Sequence, residues 1–456
     1  MKKMFHILAA VVMAASLLTG CGGKSDNTGS SNVQPTEKAT DTASDAATDT
    51  PSDTAAGDEA VTITYWGWDS NYYQPMFDAY TAAHPNVKFE PTAVEWGDML
   101  TKAQQALASG SELPTLVAMD YALIENWKAM NICDDLTTYG FDKSKYVDSL
   151  VNKASTEDGK VIGVVENVCP AGIAYKRDLA KEYFGTDDPD KLHEMFASYD
   201  DYVNKGAEVY EKSGGKVHLF HSGQAVAEWL YFASDIANQD GSNLNFTSKM
   251  TDVFTKLIAL RDANAVDTYQ NGTPEANATY ADDAHIFYPC PDWAITYYIE
   301  TNDPDGSGNW GVMKAPVSYS HGGTCLGITS ASSDAQKKAA YDFIMWATAS
   351  EDGAKVARDK AGYITAYTEY TYDPAFTKRS DEAFFGGEDI SSLFYKDIVS
   401  EMAISPSSAW DNSIVSVRND VAQQIMDDKG MSLDKALSIG KDELTQLVTD
   451  SSITIQ

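Results

Sequence analysis

Basic charge is what this chain has least of: 34 Lys and Arg stand against 67 Asp and Glu, for a net charge of −33. So acidic a surface repels phosphate backbones and anionic headgroups alike, which argues against nucleic acid as a partner. Cysteine is also scarce, with five in 456 residues. Beyond Cys21, the four at Cys133, Cys169, Cys290 and Cys325 form no CxxC pair and no Cys/His set at zinc spacing, so no structural metal is expected. They could pair as disulfides or stay as buried thiols, and their spacing does not choose. After residue 20 no run is long and apolar enough to cross a bilayer. HExxH, GxSxG and P-loop motifs are absent. Gly306-x-Gly308-x-x-Gly311 leads into Val312-Met313-Lys314 instead of a helix, so it reads as a turn. Asp303-x-Asp305-x-Ser307-Gly308 lacks the acid a calcium loop needs at its twelfth position, where Lys314 stands. No cofactor and no catalysis are expected.

What is present begins with an export signal. Met1-Lys2-Lys3 is followed by an almost wholly apolar stretch from Phe5 to Leu18. That stretch falls short of the roughly 20 residues a membrane span needs, and it ends in small residues. Leu18-Thr19-Gly20-Cys21 resembles the lipobox of bacterial lipoproteins. The resemblance implies a signal peptide over 1–20, lipidation of Cys21, and anchoring on the extracytoplasmic face of the cell membrane. Residues 21–60 are Gly, Ser, Thr, Asp and Ala with few others, and Val33 is their one large aliphatic residue. Such a segment cannot bury enough apolar surface to offset its chain entropy, and it reads as a disordered acidic tether. The leader carries +2 and the tether −6, leaving −29 on residues 61–456.

Those residues suffice for two lobes of ordinary domain size. Val61 to Trp66 alternates as a strand, Gly67 to Ser70 reads as a turn, and a helix with Pro75 in its first turn follows. Val87 to Glu90 is a second strand, Asp98 to Ser109 a helix closed by Gly110, and Thr115 to Met119 a third strand. The β-α-β-α-β order implies an α/β fold with mostly parallel sheets flanked by helices. Ligands of such sheets gather beyond the carboxyl ends of the strands. Aromatic residues beside acids cluster at such ends and in loops: Trp66, Trp68 and Asp69; Asp120 and Tyr121; Glu166; Asp292 and Trp293; Trp410 and Asp411. Sugars offer CH faces for stacking and hydroxyls for hydrogen bonds, so flat rings beside carboxylates suit them. An acidic cleft would also suit a polyamine, and a carboxylate pair could in principle serve a glycoside hydrolase. Trp127, Trp229 and Trp346 lie in apolar helical stretches and read as core.

Several stretches together resemble the solute-binding proteins of carbohydrate ABC importers, in the cluster similar to maltose-binding protein. They are Ile63-Thr64-Tyr65-Trp66 with His84-Pro85-Asn86-Val87-Lys88, and Leu113 to Asp120, with Thr115 where the family usually has Asp. Asp158 to Val165 running into Ile173 to Leu179 is a third, with Lys176 where Asn is usual. Ala315-Pro316 with Gly322 to Ile328, and Lys429-Gly430 with Ser432 to Leu437, complete the set. The resemblance implies a two-lobed periplasmic-binding-protein-like fold whose hinge the chain crosses three times, near 167–172, 317–323 and 370–376. One lobe would be 61–168 plus 324–372 and the other 169–323 plus 373–456. It implies a monomer that closes on an oligosaccharide and docks on ABC permease subunits, with Trp66, Asp120, Trp293 and Trp410 where relatives place ligand contacts.

Overall fold

The computed structural model describes residues 60–379, 382–402, 404 and 407–456. The signal peptide, Cys21 and the tether lie outside these residues. The chain opens with strand β1, Val61–Gly67, whose Ile63, Tyr65 and Gly67 are buried while Thr62, Thr64 and Trp66 on the other face are less so. Eleven further strands follow among the described residues. They are β2 Val87–Ala93, β3 Leu116–Asp120, β4 Val164–Val165, β5 Pro170–Lys176, β6 Gln239–Asp240, β7 Asn243–Leu244, β8 Phe287–Pro291, β9 Trp310–Met313, β10 Tyr319–Ser320, β11 Thr324–Ile328 and β12 Thr454–Ile455.

The first sheet has the order β2-β1-β3-β11-β4. β1 runs parallel to β2 and β3, whereas β11 is antiparallel to both β3 and β4. The second sheet centres on β5, which pairs with β8, β9 and β10, every pairing antiparallel. This corrects the expectation of a mostly parallel sheet in each lobe. Strand and helix order implies parallel pairing only where each helix carries the chain back along its sheet. Here the helices between β5 and β8 return the chain to the same end at which it left β5, so β8 runs back against it. β6, β7 and β12 make a small separate ribbon.

Local chemistry explains the helix starts. The helix Ser70–Ala83 is capped by Asp69, whose carboxylate accepts from the Asn71 and Tyr72 amides. It therefore begins a turn earlier than expected, and Pro75 lies inside it. Tyr72, Tyr73, Met76, Phe77 and Tyr80 form its buried face. Each such apolar side chain contributes about 1.5–3 kcal/mol on burial. Helix Met99–Ser109 ends at Gly110 in the left-handed conformation, as the sequence suggested. On the other side, helices Gly223–Phe232, Phe246–Asp262, Asp411–Asp427 and Leu433–Leu447 pack into a second core. Trp127 and Trp229 are buried, and Trp346 is partly buried against the first core. Cys133, Cys169, Cys290 and Cys325 are free and buried.

The chain passes from the first sheet to the second between β4 and β5, and returns between β10 and β11. Phe376 still stacks on Tyr370, while the Phe385 carbonyl already accepts from Arg177 Nη2, just after β5.

Candidate functional site

The strand ends of both sheets converge on a cavity of about 450 Å³. That volume lies within the roughly 300–1,000 Å³ typical of small-molecule sites. From the first sheet, β3 ends at Asp120, whose carboxylate accepts from the Ala122 amide at 2.7 Å and so caps the turn bearing Tyr121. The Tyr121 hydroxyl donates to the Leu150 carbonyl at 2.9 Å, which fixes its ring against the cavity. Beyond β4, Glu166 is 4% exposed and lines the cavity, its Oε2 without a hydrogen-bond partner among the described residues. Asn167 beside it accepts from the Ile364 amide at 3.3 Å.

The second sheet contributes Trp293, just past β8. Asp292 is fully buried and accepts from the Trp293 amide at 2.7 Å and the Tyr395 hydroxyl at 2.8 Å. The Trp293 indole donates to the His321 carbonyl at 2.8 Å. Between β10 and β11 run Gly322 and Gly323, with φ of +98° and +112°. A Cβ at Gly322 would fall 2.8 Å from Trp293 Nε1, and one at Gly323 would fall 2.6 Å from Tyr121 Cδ2. Only glycine lets the chain run between the two rings in that conformation. Opposite, Tyr297 and Tyr363 both donate their hydroxyls to Asp69 and line the cavity with their rings.

Burial dominates the electrostatics. It raises Glu166 well above the usual carboxylate range, and the Asp69 and Asp120 charges add to the effect. Asp120 is raised by burial as well, against the Ala122 amide and the Trp96 side chain. Burial brings Asp411 to about 6, moderated by the Ser408 amide, Asn238, Lys153 and Lys249. It lowers Lys249 to about 8. These arrangements place neutral and charged hydrogen-bonding groups beside flat rings. Among the described residues no group of three or more His, Cys, Asp or Glu side chains is placed to hold a metal.

The family described as bacterial extracellular solute-binding protein matches residues 75–385. The chain belongs to this family. It is 25% identical over 381 residues to the lactose-binding protein of Rhizobium radiobacter, covering 75% of this chain and 83% of that one. A solved extracellular solute-binding protein of family 1 superposes with a TM-score of 0.72 at 21% identity, covering 85% of this chain and 99% of the other. The galacto-N-biose/lacto-N-biose I-binding protein of an ABC transporter from Bifidobacterium longum, solved with lacto-N-biose, gives 0.70 at 18% identity, covering 88% and 100%. The two-lobed α/β fold is that of these solute-binding proteins.

In this solute-binding protein the cavity brings together Trp68, Asp120, Tyr121, Glu166, Trp293 and Asp411. Four other candidates stand off its wall. Trp66 sits on the far face of β1 with Lys102 Nζ 4.7 Å from its ring centre. Asp69 caps a helix and holds the Tyr297 and Tyr363 hydroxyls, and Asp292 holds Trp293 and Tyr395. Trp410 precedes the helix Asp411–Asp427 and packs half-buried on the second core. The sequence reading missed Lys153, Glu228, Tyr231, Asn238, Lys249 and His321, all on the cavity wall. No local motif marks them: Glu228 and Tyr231 share the helix Gly223–Phe232, whose mostly buried composition signals core.

Proposed function

We propose that the chain is the substrate-binding subunit of an ABC importer, capturing a carbohydrate, an oligosaccharide, between two lobes and delivering it to a membrane permease. The observation that carries this reading is the cavity itself, where Trp68, Tyr121, Trp293 and Tyr297 stand beside Asp120, Glu166, Asn167 and Asn238. Rings stack on sugar CH faces, and the carboxyls and amides take the hydroxyls. Relatives whose names specify lactose and lacto-N-biose support the same solute class. Lys153 and Lys249 on the wall disfavour a polyamine, which would bring like charge against them.

In this reading residues 61–168 and 324 to just beyond Phe376 form one lobe, and 169–323 with the rest of the chain the other. Binding-protein hinge closure around a ligand is a known structural repertoire, and closure here would report occupancy to the permease. Cys21 is the lipid attachment point that keeps the protein, a monomer, at the extracytoplasmic face, with residues 22–60 as its tether. No reaction is catalysed.

A thermal-shift screen of mono- and oligosaccharides with polyamine controls tests this. Ligand at about a hundredfold its Kd adds roughly 2.7 kcal/mol of stability. A melting shift with a saccharide series is expected. A shift with polyamines alone would overturn the carbohydrate assignment.

A further inference from the structure

Three cations gather at one end of the cavity, and among the described residues only Arg418 meets a carboxylate directly. Lys153, Lys249 and Arg418 lie there or just behind it, against Asp411 and Glu228, in a chain whose net charge is −33. Both acids are already engaged. Asp411 accepts from Asn238 Nδ2 at 2.7 Å and from the Ser408 amide at 3.0 Å, and Glu228 takes Arg418 Nη2 at 3.2 Å. Among the described residues Lys249 Nζ has one acceptor, Asn238 Oδ1 at 2.8 Å, and it lies 4.0 Å from the centre of the Tyr231 ring. Arg418 is fully buried, and among the described residues its Nη1 has no hydrogen-bond partner.

Lys153 is the clearest case. Its ammonium lines the cavity 5.3 Å from the Tyr121 ring centre and meets no hydrogen-bond acceptor among the described residues. Asp411 and Asp120 act on it through space without reaching it, and burial works against its charge. An ammonium carries three donors and accepts nothing. Enclosing one without a paired anion is costly. Hydroxyls of a neutral sugar could take its donors but would leave the ammonium without a contacting anion.

We infer that the Lys153 end of the cavity is a subsite for a negatively charged substituent on the sugar, a carboxylate as in a uronate or a sulfate ester. The inference rests on the carbohydrate reading and narrows it to acidic saccharides. Asp120 and Glu166 take hydroxyls, so the anion sits between Lys153 and Lys249, whose charges act on one another.

The test is calorimetric titration of the full chain, solubilised in detergent, with matched pairs: digalacturonate against galactobiose, and sulfated lactose against lactose. The acidic member of at least one pair should bind at least about tenfold tighter, as expected for a hydrogen bond to a charged group. The uronate and sulfate arms distinguish the two anions. The gap should narrow at about 1 M salt, where screening acts beyond about 3 Å. It should also shrink in Lys153→Met and, to a lesser degree, in Lys249→Met. Neutral members binding as tightly as their acidic partners would overturn the subsite and leave the carbohydrate reading standing. No binding of any saccharide would remove both.

Discussion

Replacing Gly323 with Ala should unsettle both the fold and the cavity wall. Gly323 has φ +112°, and a Cβ there would lie 2.6 Å from Tyr121 Cδ2 and 3.1 Å from Cε2. The Tyr121 ring cannot simply retreat, because it is 2% exposed and its hydroxyl is held by the Leu150 carbonyl at 2.9 Å. An L side chain in that backbone region costs about 1–3 kcal/mol. Overpacking a closed contact costs about 1–3 kcal/mol more. Gly323→Ala should therefore lose about 2–6 kcal/mol and weaken saccharide binding, since Tyr121 must move. Urea unfolding followed by both circular dichroism and tryptophan fluorescence measures the loss. Gly97→Ala is the control, because a Cβ at Gly97 meets nothing within 4 Å. A Gly323→Ala change inside the roughly ±0.5 kcal/mol of ordinary surface substitutions would refute the reasoning.

Trp293→Ala should weaken saccharide binding by at least about 1 kcal/mol through lost aromatic contact. Unchanged affinity in a folded variant would remove Trp293 from the site. Glu166 holds its proton well above the usual range, chiefly through burial, so the folded chain keeps a proton that the unfolded chain releases above about pH 4.3. Its contribution to stability is full below that pH and is lost as pH rises through the folded value. The stability of Glu166→Gln relative to the natural chain should thus climb with pH from about 4.3 upward, and a flat difference curve would contradict the assignment. Burial pushes Cys133 up to about 12 and raises Cys169, Cys290 and Cys325 in the same direction. None of these four thiols should react rapidly with Ellman's reagent until the chain unfolds, and fast reaction of any of them in the folded chain would count against their burial.

The first sheet was legible because its elements announce themselves locally. β1 alternates, Gly110 ends a helix, and the chain order from β1 to β3 leads to parallel strands. The antiparallel second sheet was not, since strand direction depends on where long helical connections return the chain, which no local pattern records. The same division holds at the site. Asp120, Tyr121 and Glu166 follow directly from strands, where the rule about carboxyl ends applies. Trp66 and Trp68 look alike in sequence, yet Trp66 lies within β1, on the face opposite Tyr65, while Trp68 lies past the strand end on the cavity wall. Glu228 and Lys249 stand on helices whose apolar residues dominate the pattern, and which face meets the cavity is decided only by packing.

The account turns on a sugar held between the two sheets, so the most direct test is a crystal structure of the protein with a saccharide taken from the thermal-shift screen. A sugar ring stacked on Trp293 or Trp68, with hydroxyls on Asp120 or Glu166 and its anionic group, where present, toward Lys153, is the expected result. Saccharide density outside the cavity, with these side chains unengaged, would contradict it.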